Sequence, residues 1–234
     1  MNLFYAPDLA GQQEFTLPAD ESHHAVRVLR LEPGARIVVV NGRGGWYPST
    51  ITLADPKACQ VQVVEQVEGF GKPSYHLHIA IAPTKQSERF EWFLEKATEI
   101  GLSEVTPLIC DRSERRDIKT ERLLRVAVSA MKQSVKAFHP VIHQPIPFGR
   151  FLEQPLEGCR AIAHCGEGER SWIDQCDLGQ RKVILLIGPE GDFSPREIQA
   201  AVDHHFTPIT LGSSRLRTET AGVAAAQTLA WIFR

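Results

Sequence analysis

Neither Gly-x-Gly-x-x-Gly nor Gly-x-x-x-x-Gly-Lys-Ser/Thr occurs in this 234-residue chain. Phosphate cradles of the dinucleotide and P-loop types are therefore unsupported. There is also no Cys-x-x-Cys among the five cysteines, Cys59, Cys110, Cys159, Cys165 and Cys176. An odd, scattered set argues against a disulfide framework or a zinc ribbon and points to a reducing, cytoplasmic setting. His164-Cys165 is one adjacent donor pair, but no second pair stands at ligand spacing, so no metal is expected. The longest sustained apolar stretch, Ala221–Phe233, is broken by Gln227 and Thr228 and is too short to span a bilayer. The first residues, Met1 to Asp8, lack the basic-then-apolar layout of a secretory signal.

A basic surplus is missing too. The net charge is −2, which argues against bulk nucleic-acid binding without excluding a local basic face. Arg27, Arg30, Arg36 and Arg43 cluster early without matching acids. Arg112, Arg115, Arg116, Lys119, Arg122 and Arg125 form a second basic region, diluted by Glu114, Asp117 and Glu121. Either cluster can equally be a solvated surface.

What is present is ordinary globular material, 43% hydrophobic and 23% charged, enough to bury a sizeable core. Up to about Glu68 the chain reads as strands and tight turns. Arg36–Val40 is a β-branched run closed by Asn41-Gly42, a strong turn signal. Trp46–Leu53 and Ala58–Val67 follow as strands, and before them Pro18-Ala19-Asp20-Glu21 opens into a helix, Ser22–Leu29. Short strands at this spacing suggest a small barrel. Gly69 to Ser74 looks like a linker, which divides the chain into residues 1–70 and 71–234.

Beyond the linker, strand and helix alternate. His76–Ala82, Val105–Cys110, Arg160–His164, Lys182–Ile187 and Pro208–Leu211 are predicted strands. Predicted helices run from an N-cap at Ser87 to Ile100, over Glu121–Val135, and over Glu219–Phe233. Ser194-Pro195-Arg196-Glu197 is a capping box with proline at the first helical position, so another helix opens there. The alternation predicts the α/β class, a parallel sheet covered by helices.

Two loops stand out. Ile187-Gly188-Pro189-Glu190-Gly191-Asp192-Phe193 leaves a very apolar strand and enters the capped helix. Leu211 to Gly222 again joins a strand to a helix and concentrates small residues, Arg215, Arg217 and Glu219. Ligands of open α/β sheets bind beyond the carboxyl ends of strands, where glycine permits close approach. Each loop also has a plain structural reading, as a turn and as a helix cap at Thr218.

Here the chain resembles the bacterial 16S ribosomal RNA uridine N3-methyltransferases, a branch of the SPOUT class. The resemblance is carried nearly end to end, by His23-His24 with Val28-Leu29-Arg30, by Lys85, by Glu91-Trp92 and by Lys96 to Gly101. Arg112-Ser113, Gln133-Ser134, Gly188-Pro189-Glu190-Gly191, Leu211-Gly212 and Leu216 to Ala221 complete it. Asp192 departs from it, standing where the family usually has glycine, as do Ser213-Ser214-Arg215 and Val135-Lys136.

The resemblance implies a PUA-like β-barrel at residues 1–70 and, at 71–234, a methyltransferase domain whose C-terminal part forms a deep trefoil knot. It implies S-adenosyl-L-methionine as cofactor, 16S rRNA within the small subunit as partner, and a homodimer. The implied donor site comprises His164, Ile187, Gly188, Glu190, Gly191, Leu211, Gly212, Ser214, Leu216 and Thr220. Arg217 is the expected electrostatic partner of the uracil oxygens, and Glu219 either a proton acceptor or the carboxylate orienting Arg217. Arg27, Arg30, Lys85, Arg112 and Lys132 are the expected RNA contacts, with His23 and His24 either joining them or simply packed. Trp92 is expected in the core and Trp231 at a dimer contact. Competing expectations are a related methyltransferase acting on another RNA such as tRNA, an inactive RNA-binding assembly factor, and a small-molecule methyltransferase.

Overall fold

The computed structural model describes all residues from Met1 to Arg234. They form two compact units, residues 1–72 with 128–139, and residues 73–127 with 140–234. Residues 128–139 thus belong with the N-terminal unit, whereas a division at residue 70 puts them with the second.

The first unit is a five-stranded sheet in the order β1-β3-β4-β5-β2. Its strands are β1 (Leu3–Tyr5), β2 (Glu14–Thr16), β3 (Arg36–Val40), β4 (Trp46–Leu53) and β5 (Gln60–Val63). Only β1 and β3 run parallel; the other neighbours are antiparallel. The Asn41 side chain builds the predicted turn, its Oδ1 accepting from the N–H groups of Arg43 and Gly45 at 2.9 Å each. Gly42 has φ +77°, the left-handed region that glycine enters without penalty. Past Val63 the pairing becomes irregular: the N–H groups of Val64 and Glu65 both reach the Pro48 carbonyl, so β5 stops short of Val67.

The helix expected to open at Pro18 to Glu21 and run through Ser22–Leu29 does so but changes pitch. It is α-helical as α1 (Ala19–His23) and π-helical from His24 to Val28, where Leu29 N–H reaches back five residues to His24 O at 2.9 Å. Ser22, fully buried, bonds Leu17 O and Cys59 N–H. Phe4, Leu9, Leu17, Ile37, Val39, Tyr47, Ile51 and Val61 form the core beneath.

The second unit carries eight strands. They are β6 (His76–Ile81), β7 (Glu104–Ile109), β8 (Val141–Ile142), β9 (Ile146–Pro147), β10 (Cys159–Ala163), β11 (Ser171–Trp172), β12 (Lys182–Ile187) and β13 (Thr207–Thr210). Their order is β11-β13-β10-β12-β6-β7-β8, with β9 also on β7, and every pairing is parallel. The helices are α2 (Ser87–Ile100), α3 (Thr120–Gln133), α4 (Phe148–Leu152), α5 (Pro195–Asp203) and α6 (Thr218–Ile232); the end of α3 counts with the first unit.

Period-two alternation sends β6 residues to opposite faces. Leu77, Ile79 and Ile81 meet Phe90, Phe93 and Leu94 of α2 and Ala225, Ala226 and Leu229 of α6. Ala80 and Ala82 share the other core with Phe148, Phe151 and Ala201, from α4 and α5.

Three local expectations change. Ser87 is the first helical residue of α2 rather than its cap, since Gln86 holds the extended cap position without a side-chain bond. Trp92 is 45% exposed rather than core, because it lies off the stripe that buries Phe90, Phe93, Leu94 and Ala97. Thr218 likewise does not cap α6; Arg217 holds that position.

Candidate functional site

At the carboxyl ends of β10, β12 and β13 lies a cavity of about 410 Å³. Its wall is made by the segments after those strands, which places it where a parallel sheet offers a binding crevice. Ala163 and His164 contribute at the end of β10 and just past it, Ile187 and Gly188 likewise at β12, and Leu211 and Gly212 from the segment after β13. Glu190, Ser214, Leu216 and Arg217 also line it. Of the residues expected at this site, Gly191, Thr220 and Glu219 are not in the wall.

The two loops are pinned to each other. Thr218 Oγ1 donates to Gly188 O at 2.9 Å in a buried position. Farther along, Asp192 adopts φ +63°, which explains why glycine suits this place. Its carboxylate accepts from Cys165 N–H and from Phe193 N–H, both at 2.9 Å, tying the β12 loop to the β10 loop. Beyond it, the capping box of α5 closes as predicted: Ser194 Oγ accepts from Glu197 N–H and Glu197 Oε2 from Ser194 N–H. Glu197 is buried and its other oxygen accepts from Asp111 N–H.

The glycines divide by cause. A Cβ at Gly188 would stand 3.1 Å from Phe193, so this glycine serves loop packing. At Gly191 the neighbour is Arg112 at 3.4 Å. Gly212 has φ +152° with open space around it, so there the backbone conformation decides.

His164, in this wall, is buried with neither ring nitrogen hydrogen-bonded. Burial pushes its pKa down from 6.5, opposed by the Asp192 carboxylate and reinforced by Arg170. A buried imidazole without partners is costly unless something in the cavity supplies them.

Glu219 does not pair with Arg217. It is buried, lies 3.8 Å from the Arg89 guanidinium, and leaves Oε2 without a hydrogen bond. Arg217 is exposed on the cavity wall. Both expected roles of Glu219 therefore lack contact: it neither reaches the cavity nor orients Arg217. Arg89, which does line the cavity, escaped sequence reading because its partner lies far away in the chain.

The expected RNA contacts also separate. Arg27 and Arg30 are exposed and enter no ion pair. Lys85 is exposed but pairs with Glu114 at 2.9 Å, while its N–H donates to Glu190 Oε1. Arg112 donates to the carbonyls of Gly191 and Phe193, so it braces the β12 loop. Lys132 is committed to the buried Glu21 at 2.6 Å and is no free phosphate ligand. His24 packs edge-on to Phe4, and His23 is exposed.

A parallel sheet with a cavity at its strand ends, accompanied by a separate small sheet, matches a known class. Residues 71–230 match the RNA methyltransferase domain, and residues 17–64 the RNA methyltransferase PUA domain. The ribosomal RNA small subunit methyltransferase E of Synechocystis is 31% identical over 232 residues, covering 95% of this chain and 75% of that protein. The chain belongs to the family of ribosomal RNA small subunit methyltransferases E. A probable rRNA-methyltransferase from Porphyromonas gingivalis is 46% identical, with a TM-score of 0.91 over 100% of both chains. A Legionella pneumophila protein solved in complex with the bound cofactor SAM is 28% identical, with a TM-score of 0.88 over 98% of this chain and 97% of that one. No helix is long and apolar enough to cross a membrane.

Proposed function

We propose that this protein transfers a methyl group from S-adenosylmethionine to N3 of a uridine in 16S ribosomal RNA. The observation that carries the proposal is the cavity beside Gly188 and Gly212, with an unpartnered buried His164 in its wall. Those residues fit the donor. Ile187, Leu211 and Leu216 offer apolar surface, and His164 and the loop backbone offer polar partners to its adenosine portion. When bound, the donor supplies a methyl group on a positively charged sulfur.

The chain's own work is positioning, because displacement at a methyl carbon requires the attacking nitrogen in line. N3 of uracil lies on the pairing edge, so the base must be unpaired or flipped to reach the cavity. Arg217 faces the uracil oxygens and, as a preorganised positive charge, favours the base whose N3 proton has been given up to water. Arg89 lines the same wall, and Glu219 stands beside it outside the cavity. Arg27 and Arg30 are the free arginines offered to phosphates.

The reading extends to architecture. The first sheet closes as a PUA-like barrel, and the C-terminal segment is threaded as a trefoil knot. Support for the knot is the path after β13: the chain returns across the sheet to bond Gly188 at the end of β12. The working form is a cytoplasmic homodimer acting on the small subunit, with the exposed Trp231 at the contact.

Incubation of rRNA lacking this modification with the protein and donor, followed by mass mapping of nucleosides, tests the activity. 3-Methyluridine in 16S rRNA is the expected product, lost in Arg217→Ala with the fold retained. Methylation of another RNA, another base atom, or full turnover by Arg217→Ala would overturn the corresponding part.

A further inference from the structure

A second polar cluster lies at the amino-terminal ends of the strands, opposite the cavity. His76 and His78 are on β6, Glu104 and Thr106 on β7, and His143 follows β8. The parallel register sets His78 beside Glu104 and Glu104 beside Val141, and His143 N–H bonds Val105 O. All five side chains therefore project from one face of the sheet. His143 Nε2 lies 2.5 Å from Glu104 Oε2, and His76 Nε2 lies 2.9 Å from Glu104 Oε1. His78 Nδ1 lies 3.8 Å from Glu104 Oε2, too far for a hydrogen bond.

We infer that His78, Glu104 and His143 form a binding site for a divalent cation of the zinc type, separate from the methyl-transfer cavity. One donor atom from each of the three lies within 4.8 Å of the others. A tetrahedral zinc site with bonds of about 2.0 Å wants its donors roughly 3.3 Å apart, so small side-chain movements suffice. Two imidazoles and a carboxylate are a donor set this ion accepts, with a fourth position for water.

The surroundings hold the ligands in place. Thr106 Oγ1 lies 2.8 Å from His78 Nε2, which fixes that ring and leaves Nδ1 facing Glu104. A metal-binding histidine commonly has its other nitrogen held in this way. The Phe151 ring packs edge-on against His78 at 5.5 Å between centroids. The exposed side of the cluster, at His143 and His76, gives an ion a way in. Bound there, the cation would clamp β6, β7 and the segment after β8, and so stabilise the sheet edge.

Chelator-stripped full-length protein titrated calorimetrically with Zn²⁺, and spectroscopically with Co²⁺, tests the site. The expected result is one equivalent bound, a higher unfolding midpoint, and a Co²⁺ spectrum without thiolate charge-transfer bands. His143→Ala weakens binding roughly a hundredfold or more, as loss of a direct ligand should exceed the effect of losing an outer partner. If that variant does not fold, Glu104→Gln is read in its place with the same expectation. No saturable Zn²⁺ binding by the parent, unchanged affinity in the variant, or a thiolate band would overturn the site.

Discussion

Thr218 Oγ1 donates a 2.9 Å hydrogen bond to the carbonyl of Gly188, thirty positions earlier in the chain. It joins the loop leaving β12 to the turn that starts α6, and both loops line the same cavity. Removing the hydroxyl strands a carbonyl. Thr218→Val is expected to lower unfolding free energy by about 1–3 kcal/mol and to weaken donor affinity, while Thr218→Ser keeps both. Denaturant unfolding and calorimetry on the three proteins check this; equal affinity in Thr218→Val would mean the loops are held by other contacts.

Strong local signals made much of this legible in the sequence. Lys182–Ile187 is a strand at the expected residues, and Ser194 to Glu197 caps α5 as its chemistry dictates. The two loops were visible because glycine and charge cluster after apolar strands. Strands of two or three residues, such as β8, β9 and β11, carry too little pattern to be read. The Arg89–Glu219 pair and the five-residue cluster around Glu104 are made by topology, and no spacing announces them. Trp92 misled because aromatic bulk suggests burial, whereas helical phase decides it.

Lys132 and Arg27 should fail in opposite ways. Lys132→Met leaves Glu21 buried without its partner, and is expected to cost roughly 3 kcal/mol of stability with little change in the salt dependence of RNA binding. Arg27→Ala should leave stability intact and reduce the slope of log affinity against log salt by about one. Urea unfolding and RNA titrations at several salt concentrations separate the two. A drop in slope of about one in the Lys132 variant would restore it as a phosphate ligand.

Glu219 should not behave as a general base. A true base contributes roughly 10²–10⁴-fold and shapes the basic or acidic limb of the rate profile. Glu219→Gln is expected to slow methylation by less than about tenfold and to leave the pH profile unchanged in form, because the carboxylate faces Arg89 outside the cavity wall. Disappearance of a limb in the variant's profile would reinstate the base.

His164 should make stability fall with acid. Its folded pKa lies below 6.5, so below pH 6.5 the unfolded chain takes up the proton more readily. Its contribution is level above that pH and declines as pH falls from 6.5 toward the folded value. Unfolding free energies of the parent and of His164→Gln across this window should differ in slope, with the parent steeper. Parallel curves would show that the ring is not held neutral.

The central claim is that the donor occupies the cavity between the β10, β12 and β13 loops. Cys165 is exposed and forms part of that wall, whereas Cys59 and Cys110 are buried and Cys159 and Cys176 lie outside it. Alkylation of Cys165, followed by mass spectrometry, is expected to slow when S-adenosylhomocysteine saturates the protein, with Cys159 and Cys176 unaffected. An unchanged Cys165 rate at saturating ligand would place the donor elsewhere and contradict the account.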